Sequence, residues 1–543
     1  MTGKKRRRKL LLWAGCILLT TASFLCAQSP TQGGDAMQEA LKFARIYQAV
    51  AQNYMSPVDP DNVVLEGAIR GMLASLDPFS TFFDRDQFKM LEQEDSGEAL
   101  GFGSILSVQP GKAMIIQTQQ GSPSWRAGLG PGDQIVAVNS VQLGDLGVRQ
   151  LVALLEKTRS HPAHLSVLRP GDLQPQDFTL TPAQVALPTV DIAFLYSSGI
   201  GYIHVASFES KTPQEVLSAL QKLGGNNLKG LILDLRNNPG GALDSAVEVC
   251  SLFLKPGTLV LTMRGRAVPE KTYRTAAAPM LLQTPMIVLV NGRTVSAAEL
   301  VTAALQDHDR AVVAGEPTFG KGVVESVMPL NDQTALGLVT AEYFTPSGRS
   351  IQKPLAGTAL QNPSSGLEAG DASARSPKFH TDDGRPLAAH GGVIPDVRIA
   401  ALPLDPWLTF LNRAGLLSSF ASDYFTYHGK ISRDFEPTQE TLEEFRNFLA
   451  AQRIQSPERY WSEDQEYLIK GIKAALFNLA FGLDAGNEIA TRNDLQVEKA
   501  ASLFPRVPAL LKGESVSPFL QRPRASLRQG RMPARHLKFL TIK

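Results

Sequence analysis

The stretch that decides the fold, MIVLVNGRTVSAAEL, occupies residues 286–300. Its first five residues form a short apolar run with the length and β-branched composition of a buried strand. Asn291 follows that run, and Ser296 then opens a series of small residues typical of a helix start. The stretch therefore predicts a strand, a turn and a helix, with a serine beside the backbone donors of the helix amino terminus.

A second apolar run precedes this stretch and ends in glycines. Residues 230–241 read GLILDLRNNPGG, a strand-like segment that must leave its sheet sharply at Pro239. Gly240 and Gly241 leave backbone N–H groups free to point at a bound oxyanion. The chain therefore carries the elements of an acyl-transfer site at the ends of two strand-like runs.

A lysine that could activate the serine follows it by twenty-five positions, in GEPTFGKG at residues 315–322. A serine hydroxyl attacks an amide poorly unless a neighbouring base accepts its proton, and a lysine serves as that base only when it is uncharged. Burial disfavours the ammonium form, and Lys321 lies between Phe319 and the apolar pair Val323 and Val324. We therefore expect a serine nucleophile with a lysine base.

Four blocks together resemble the C-terminal processing peptidases, which are serine proteases of the bacterial envelope and the chloroplast lumen. They are ILDLRNNPGG at 232–241, SAAE at 296–299, GEPTFGKG at 315–322 and YFTPSGRSIQ at 343–352. The resemblance covers roughly residues 36–400. It implies an α/β multidomain protein, with an α/β serine protease core of the ClpP/crotonase-like type, an inserted PDZ domain, and helical N- and C-terminal regions.

The resemblance also implies the roles of the site residues. Ser296 would be the nucleophile and Lys321 the general base, and the N–H of Ala297 with that of Gly240 or Gly241 would form the oxyanion hole. One position departs from the family, because Glu325 stands where a glutamine usually supports the lysine. An ionised carboxylate there would favour the ammonium form, whereas a protonated one could mimic the amide.

A PDZ domain is indicated between the amino-terminal region and the core. The phrase AGLGPGD at 127–133 resembles the PDZ segment that precedes the central strand. By that resemblance the loop Gly101, Phe102, Gly103 and Ser104 would supply N–H groups to the terminal carboxylate of a peptide, while the next strand pairs with it. The expected partner is a protein substrate with an apolar carboxyl terminus.

The amino terminus predicts export. A basic block at residues 4–9 precedes a mostly apolar stretch that ends at a plausible cleavage point after Ala27, the pattern of a secretory signal. An uncleaved inner-membrane anchor is the alternative, since the stretch approaches the ~18 residues of a spanning helix. We expect a periplasmic or other cell-envelope location. The 54 basic and 52 acidic residues give no overall charge that would favour nucleic acid.

The predicted organisation is as follows: signal peptide or anchor 1–27, N-terminal helical region 36–95, PDZ domain 96–185, protease core 186–400 with a surface insertion at 357–385, C-terminal helical region 401–515, and basic tail 516–543. The helical region is expected to pack on the core or on a second subunit of a homo-oligomer. The tail is interpreted as disordered, with anionic lipid or nucleic acid as the alternative partner. No metal or cofactor is expected, because no His/Cys cluster has ligand spacing.

Three functions other than a serine-lysine peptidase are compatible with parts of the sequence. The first seven positions of GEPTFGKG fit a phosphate-binding loop, but Gly322 lacks the hydroxyl that binds magnesium, and a β-branched run follows where a helix should begin. A histidine-based hydrolase using His308 or His204 is disfavoured, because no Gly-x-Ser-x-Gly turn surrounds Ser296. A peptide-binding scaffold without cleavage would follow if Glu325 kept Lys321 charged.

Overall fold

The computed structural model describes the greater part of the chain. The described residues are 33–85, 87–88, 98–169, 172–186, 188–197, 199–276, 278–331, 333–361, 379–389, 391–401, 405–455 and 457–513. The predicted leader at 1–27, the predicted tail at 516–543 and residues 362–378 of the predicted insertion lie outside them. The chain divides into two compact units, residues 1–75 and 76–543.

The first unit is helical where it is described. Helix α1 spans Gly33–Asn53, a π-helical segment spans Asp61–Ile69, and α2 spans Arg70–Leu76. Large apolar side chains on α1, among them Met37, Leu41 and Ile46, are exposed. Within the described residues, no helix is long and apolar enough to cross a membrane.

The region 36–95, expected to be helical, is not helical throughout. Strand β1, Thr81–Phe83, lies in the second unit and pairs with a strand of the core. Asp77 initiates this departure, because its carboxylate accepts hydrogen bonds from the N–H groups of Phe79 and Ser80. Phe82 is buried, and pairing with β18 keeps this stretch extended.

The second unit begins with a small β domain. Its strands are β2 Glu98–Gly101, β3 Ser104–Gln109, β4 Lys112–Thr118, β5 Gln134–Val138, β6 Val141–Gln142, β7 Ala163–Leu168, β8 Gln176–Leu180 and β9 Ala183–Ala186, with helices α3 Pro123–Arg126 and α4 Val148–Thr158. The sheet order is β3-β4-β5-β7-β8, with β6 on β5, while β2 pairs with β9. Leu143 and Leu151 are fully buried in its core.

A six-stranded sheet forms the centre of the second unit. Its strands are β10 Val190–Ser197, β11 Ile200–Val205, β12 Gly230–Asp234, β15 Met286–Val290, β16 Val312–Gly315 and β21 Val397–Arg398, adjacent in that order. All pairs after β10–β11 are parallel. Asp234 is the register partner of Leu289, so the loops that leave β12 and β15 emerge side by side. Ligands bind at such carboxyl ends in open α/β sheets.

Helices cover both faces of this sheet. Helices α5 Thr212–Lys222, α6 Leu243–Ser251 and α7 Ala297–Asp307 contribute to the apolar core on one face. The other face packs against Val497, Ala500 and Leu510 of the C-terminal region. The C-terminal region therefore completes the core of the sheet.

A second sheet includes the strand that follows Lys321. It contains β13 Leu259–Arg264, β14 Lys271–Arg274, β17 Val323–Asn331 and β18 Thr334–Phe344, and β1 joins it at β18. Lys321 lies two residues before β17, and Glu325 lies within that strand. The short strands β19 Phe379–His380 and β20 Pro386–Leu387 follow and pair with each other.

The C-terminal region is helical, as predicted. It comprises α8 Pro406–Arg413, α9 Leu416–His428, α10 Gln439–Ala451, α11 Arg459–Glu463, α12 Gln465–Phe481, α13 Leu483–Arg492, α14 Leu495–Ser502 and α15 Val507–Leu511. Phe420, Phe445 and Trp461 pack together in its own core. The α/β multidomain fold expected from the sequence is confirmed.

Candidate active site

Ser296 stands at the amino terminus of α7 in a strained conformation. Its φ is +55°, in a region that non-glycine residues rarely occupy and that often marks functional positions. Two hydrogen bonds join the turn before Ser296 to the loop after β12. Thr294 Oγ1 donates to Leu235 O at 2.8 Å, and Val295 N donates to Asn238 O at 2.9 Å. The loop after β12 therefore fixes the serine.

Glu299 connects the serine to the lysine segment. Its side chain is fully buried, and Oε2 accepts hydrogen bonds from Ser296 N and Lys321 N, each at 2.9 Å. Its Oε1 accepts from Thr318 Oγ1 at 2.5 Å and from Gly320 N at 2.7 Å. Burial raises the pKa of Glu299 to about 7, although these four donors favour the ionised form. No role was predicted for Glu299 from the sequence, although Ser-x-x-Glu is a capping signature that could have revealed it.

The backbone of Lys321 lies close to the backbone of Ser296, but the side chain of Lys321 points toward Glu325. The backbone nitrogens of Ser296 and Lys321 each lie 2.9 Å from the same atom, Glu299 Oε2, so the distance between them is at most twice that value. Lys321 Nζ donates to Glu325 Oε2 at 2.5 Å and lies 4.7 Å from the ring centroid of Phe79. Between the described side chains of Lys321 and Ser296 there is no hydrogen bond. The lysine side chain is 17% exposed.

Gly240 lies directly against the serine. A Cβ on Gly240 would lie 2.9 Å from Ser296 Cβ and 3.0 Å from Ala297 N, so only glycine permits this approach. Its own N–H donates to Asn238 Oδ1 at 2.8 Å. Among the described groups, neither Gly241 N nor Ala297 N has a hydrogen-bond acceptor. Of the two glycines predicted to supply an oxyanion donor, Gly241 is the one whose N–H is available.

The far end of α7 is anchored by a buried ion pair. Arg349 is fully buried, and its Nη2 donates to Asp307 Oδ1 and Gln306 Oε1, both at 2.8 Å. Gln352 is also buried, and its Oε1 accepts from Gly322 N at 2.8 Å. The motif at 343–352 therefore fixes both the helix that carries Ser296 and the residue after Lys321.

A groove crosses the small β domain at the predicted carboxylate-binding loop. A cavity of about 340 Å³ is lined by Gly101, Phe102, Gly103 and Ser104, together with Leu106 and Leu155. Strand β3 is an edge of its sheet, so its outer side can pair with an added strand. Within the described part of the chain, the N–H groups of Phe102 and Gly103 donate to no other group. The groove therefore combines an apolar lining with available donors.

The alternative sites lack the necessary geometry. The residues after Gly322 form β17 rather than a helix, so the segment is not built as a phosphate-binding loop. His308 caps the opposite end of α7 from Ser296, where its ring contacts Asp382 Oδ2 and Leu259 O, each at 2.7 Å. His204 contacts Asp191 and the carbonyl of Arg236, so its ring is engaged away from the serine hydroxyl.

Three family models match the chain. Peptidase family S41 matches residues 199–359, which contain strands β11, β12, β15 and β16 of the central sheet together with Gly240, Ser296 and Lys321. A PDZ domain matches residues 114–169. The activating protease CtpB N-terminal domain matches residues 20–87.

Several curated proteins are similar over most of their own length. The carboxy-terminal-processing protease of Bartonella bacilliformis is 32% identical over 351 residues, which cover 64% of this chain and 80% of that protein. The carboxyl-terminal-processing protease of Synechocystis is 35% identical, covering 53% and 68%. The carboxy-terminal processing protease CtpA of Bacillus subtilis is 31% identical, covering 62% and 71%. The chain therefore belongs to the carboxy-terminal processing proteases of peptidase family S41, and it is a serine-type peptidase with a PDZ domain.

Proposed function

We propose that this peptidase cleaves proteins near their carboxyl termini with Ser296 as the nucleophile and Lys321 as the general base. The observation that carries the proposal is the shared carboxylate of Glu299, which holds the N–H groups of both residues on one oxygen. A single buried acceptor thereby keeps the serine and the lysine within reach of each other. The flexible four-carbon side chain of lysine can span that separation.

The reaction proceeds by acyl transfer. Ser296 Oγ attacks the scissile carbonyl while its proton passes to uncharged Lys321 Nζ. The oxyanion accepts hydrogen bonds from Gly241 N and Ala297 N, and the amino terminus of α7 adds its positive dipole end. The ammonium of Lys321 then protonates the leaving amine. Lys321 next takes a proton from water, which attacks the acyl-enzyme and releases the carboxyl product.

The proposal requires the Lys321 side chain to move. In the present conformation its ammonium is bound by Glu325 and faces the ring of Phe79. Rotation about the side-chain bonds would carry Nζ from Glu325 Oε2 to Ser296 Oγ. Loss of a proton from the Lys321 and Glu325 pair must accompany this step, since an ammonium cannot act as a base.

Substrate capture is assigned to the PDZ groove. Its lining is apolar, and it ends at the N–H groups of Phe102 and Gly103, a combination suited to an apolar side chain followed by a carboxylate. The substrate tail would pair with β3 as an added strand. A protein whose tail ends in acidic residues would bind poorly, because its charges would be desolvated in the groove. Export to the cell envelope is proposed from the signal-like pattern of residues 1–27.

Cleavage of a tailed substrate tests the proposal. The purified protein is incubated with an unfolded protein that ends in an apolar tail, and products are identified by mass spectrometry. We expect cleavage near the carboxyl terminus, its loss in Ser296→Ala and Lys321→Ala, and its retention in Ser462→Ala, which alters an exposed serine of α11. The same substrate ending in two aspartates should be cleaved more slowly. Cleavage that survives Ser296→Ala would refute the assignment, and tail binding without cleavage would favour the peptide-binding scaffold.

A further inference from the structure

The second half of the loop that carries Gly240 and Gly241 is held by the segment around Phe208. Phe208 N donates to Gly240 O at 2.8 Å, and Ala242 N donates to Phe208 O at 2.7 Å. These bonds fix the distal half of the loop. They leave its start, at the end of β12, to be fixed by other contacts.

The start of the loop is held from two sides, by the residues that follow β15, where the Asn291 side chain binds Asn237, and by the residues that end β11. Asn238 Nδ2 donates to Val205 O at 2.7 Å, and His204 Nε2 lies 3.1 Å from Arg236 O. Arg236 immediately precedes the turn in which Asn237 adopts a φ of +60°. Because a non-glycine residue is strained in that region, the turn needs external contacts to hold it.

The hydrogen-bond partners of His204 define its protonation state. Nδ1 lies 2.5 Å from Asp191 Oδ1 on β10, and Nε2 faces the Arg236 carbonyl. A carbonyl oxygen and an ionised carboxylate are acceptors only, so both ring nitrogens must carry protons to satisfy both contacts. The ring is 16% exposed, so water competes weakly for these contacts.

The charges around His204 come from each adjacent strand. Asp191 lies on β10, Asp234 ends β12, and the Arg236 guanidinium pairs with Asp234 at 2.6 Å. That guanidinium also reaches Asp494 of the C-terminal region at 2.8 Å. The cluster holds three carboxylates against one guanidinium, which favours a second positive charge on His204.

We infer that His204 is a positioning residue for the loop that carries Gly240 and Gly241. Its imidazolium is held by Asp191 and binds the Arg236 carbonyl. This contact fixes the loop beside Ser296. The inference rests on the proposed function, which gives that loop its part in the reaction. His204 touches neither substrate nor the reacting atoms. Its contribution is the geometry of the Gly241 donor, and a displacement of about 1 Å at a reacting centre costs on the order of 100-fold in rate.

Loss of the second proton would release the loop. A neutral imidazole keeps one proton, and the contact with the carboxylate retains it because a charge-assisted bond is the stronger one. Nε2 would then present a lone pair to the lone pairs of Arg236 O. Burial lowers the pKa of His204, but the hydrogen bond to Asp191 and the nearby carboxylates outweigh it and raise the pKa to about 9. The loop is therefore held through neutral pH and freed at alkaline pH.

The test compares three variants in the full-length protein. His204→Gln removes the charge, Asp191→Asn removes its partner with little change in shape, and His204→Arg keeps a positive donor that does not titrate. We expect kcat to fall roughly 10- to 100-fold in His204→Gln with KM little changed. In Asp191→Asn the alkaline limb of kcat should move down by about 1–3 pH units. His204→Arg should retain activity above the alkaline limb of the wild type.

A second measurement is independent of turnover. In protein labelled with ¹³C at histidine Cε1, the His204 signal is identified among the 8 histidines by its absence in His204→Gln. We expect an imidazolium at pH 7.5 in the wild type, and a larger neutral fraction at the same pH in Asp191→Asn. A neutral ring in the wild type overturns the inference, even in a preparation that cleaves nothing.

The two proposals can fail separately. Wild-type cleavage that disappears in Ser296→Ala supports the dyad whatever His204 does. If His204→Gln then shows the kcat and pH profile of the wild type, the positioning role is refuted while the dyad stands. If cleavage survives Ser296→Ala, the dyad fails, and the histidine spectra still decide whether the charged ring exists.

Discussion

Lys321 Nζ donates a hydrogen bond of 2.5 Å to Glu325 Oε2. The two residues are four positions apart, with Glu325 on β17, and the contact holds the proposed base away from Ser296. A hydrogen bond between an ammonium and a carboxylate is charge-assisted and therefore stronger than a neutral one. The residue at position 325 therefore controls how firmly the Lys321 side chain is held away from Ser296.

Glu325→Gln should raise activity at neutral pH. The amide can still accept a hydrogen bond from Lys321, but it removes the charge that strengthens this contact. We expect kcat/KM, measured on a tailed substrate at pH 7.5, to rise because Nζ leaves a neutral amide for Ser296 more readily than it leaves a carboxylate. Glu443→Gln, an exposed glutamate of α10, is the control. An unchanged kcat/KM in Glu325→Gln would remove the carboxylate from the mechanism.

Glu299→Gln should destabilise the protein and abolish cleavage. Each carboxylate oxygen accepts two donors, so either orientation of the amide places its NH₂ against two of them. An unpaired buried group costs about 1–3 kcal/mol, and we expect a loss of roughly 2–4 kcal/mol in the free energy of unfolding in urea.

The control for this variant is Glu316→Gln, whose carboxylate accepts a hydrogen bond from Ala401 N near the surface. It should change the free energy of unfolding by less than about 0.5 kcal/mol. Wild-type stability and cleavage in Glu299→Gln would contradict the linking role of this carboxylate.

Gly240→Ala should inactivate the serine. The new Cβ would lie 2.8 Å from Val295 O and 3.0 Å from Ala297 N, at a φ of +98°. Left-handed backbone alone costs an alanine roughly 1–2 kcal/mol, so Gly257→Ala is the matched control, with a φ of +80° and open space around its Cβ. Labelling with a fluorophosphonate should disappear in Gly240→Ala and persist in Gly257→Ala. Equal labelling of the two would show that Gly240 does not shape the site.

The His204 and Asp191 pair should make the protein less stable at alkaline pH. The pKa of His204 is raised from 6.5 to about 9, so its contribution is complete below pH 6.5 and is lost as pH rises through about 9. The full contribution is on the order of 3 kcal/mol. Urea unfolding at pH 6 and pH 10 should show this loss in the wild type and little of it in His204→Gln. The same loss in both proteins would assign it to other groups.

The sequence identified the separate pieces of the site because each is local. An apolar run followed by Asn-Gly and a small-residue helix start predicts the element that carries Ser296, and the same logic locates the Gly240 turn and the Lys321 loop. The α/β architecture follows from the alternation of such elements. Long, ordered motifs then indicated the family, which the relatives confirm.

The sequence could not show which residues connect those pieces. Whether Gly240 or Gly241 offers its N–H depends on the amide of Asn238, and the direction of Lys321 depends on Glu325 and Phe79. Glu299 matters because Ser296 and the separate segment 318–321 both donate to its two oxygens. Local periodicity sets the strands and helices, whereas burial, hydrogen-bond partners and protonation depend on contacts between distant parts of the chain, and these exist only after the tertiary structure forms.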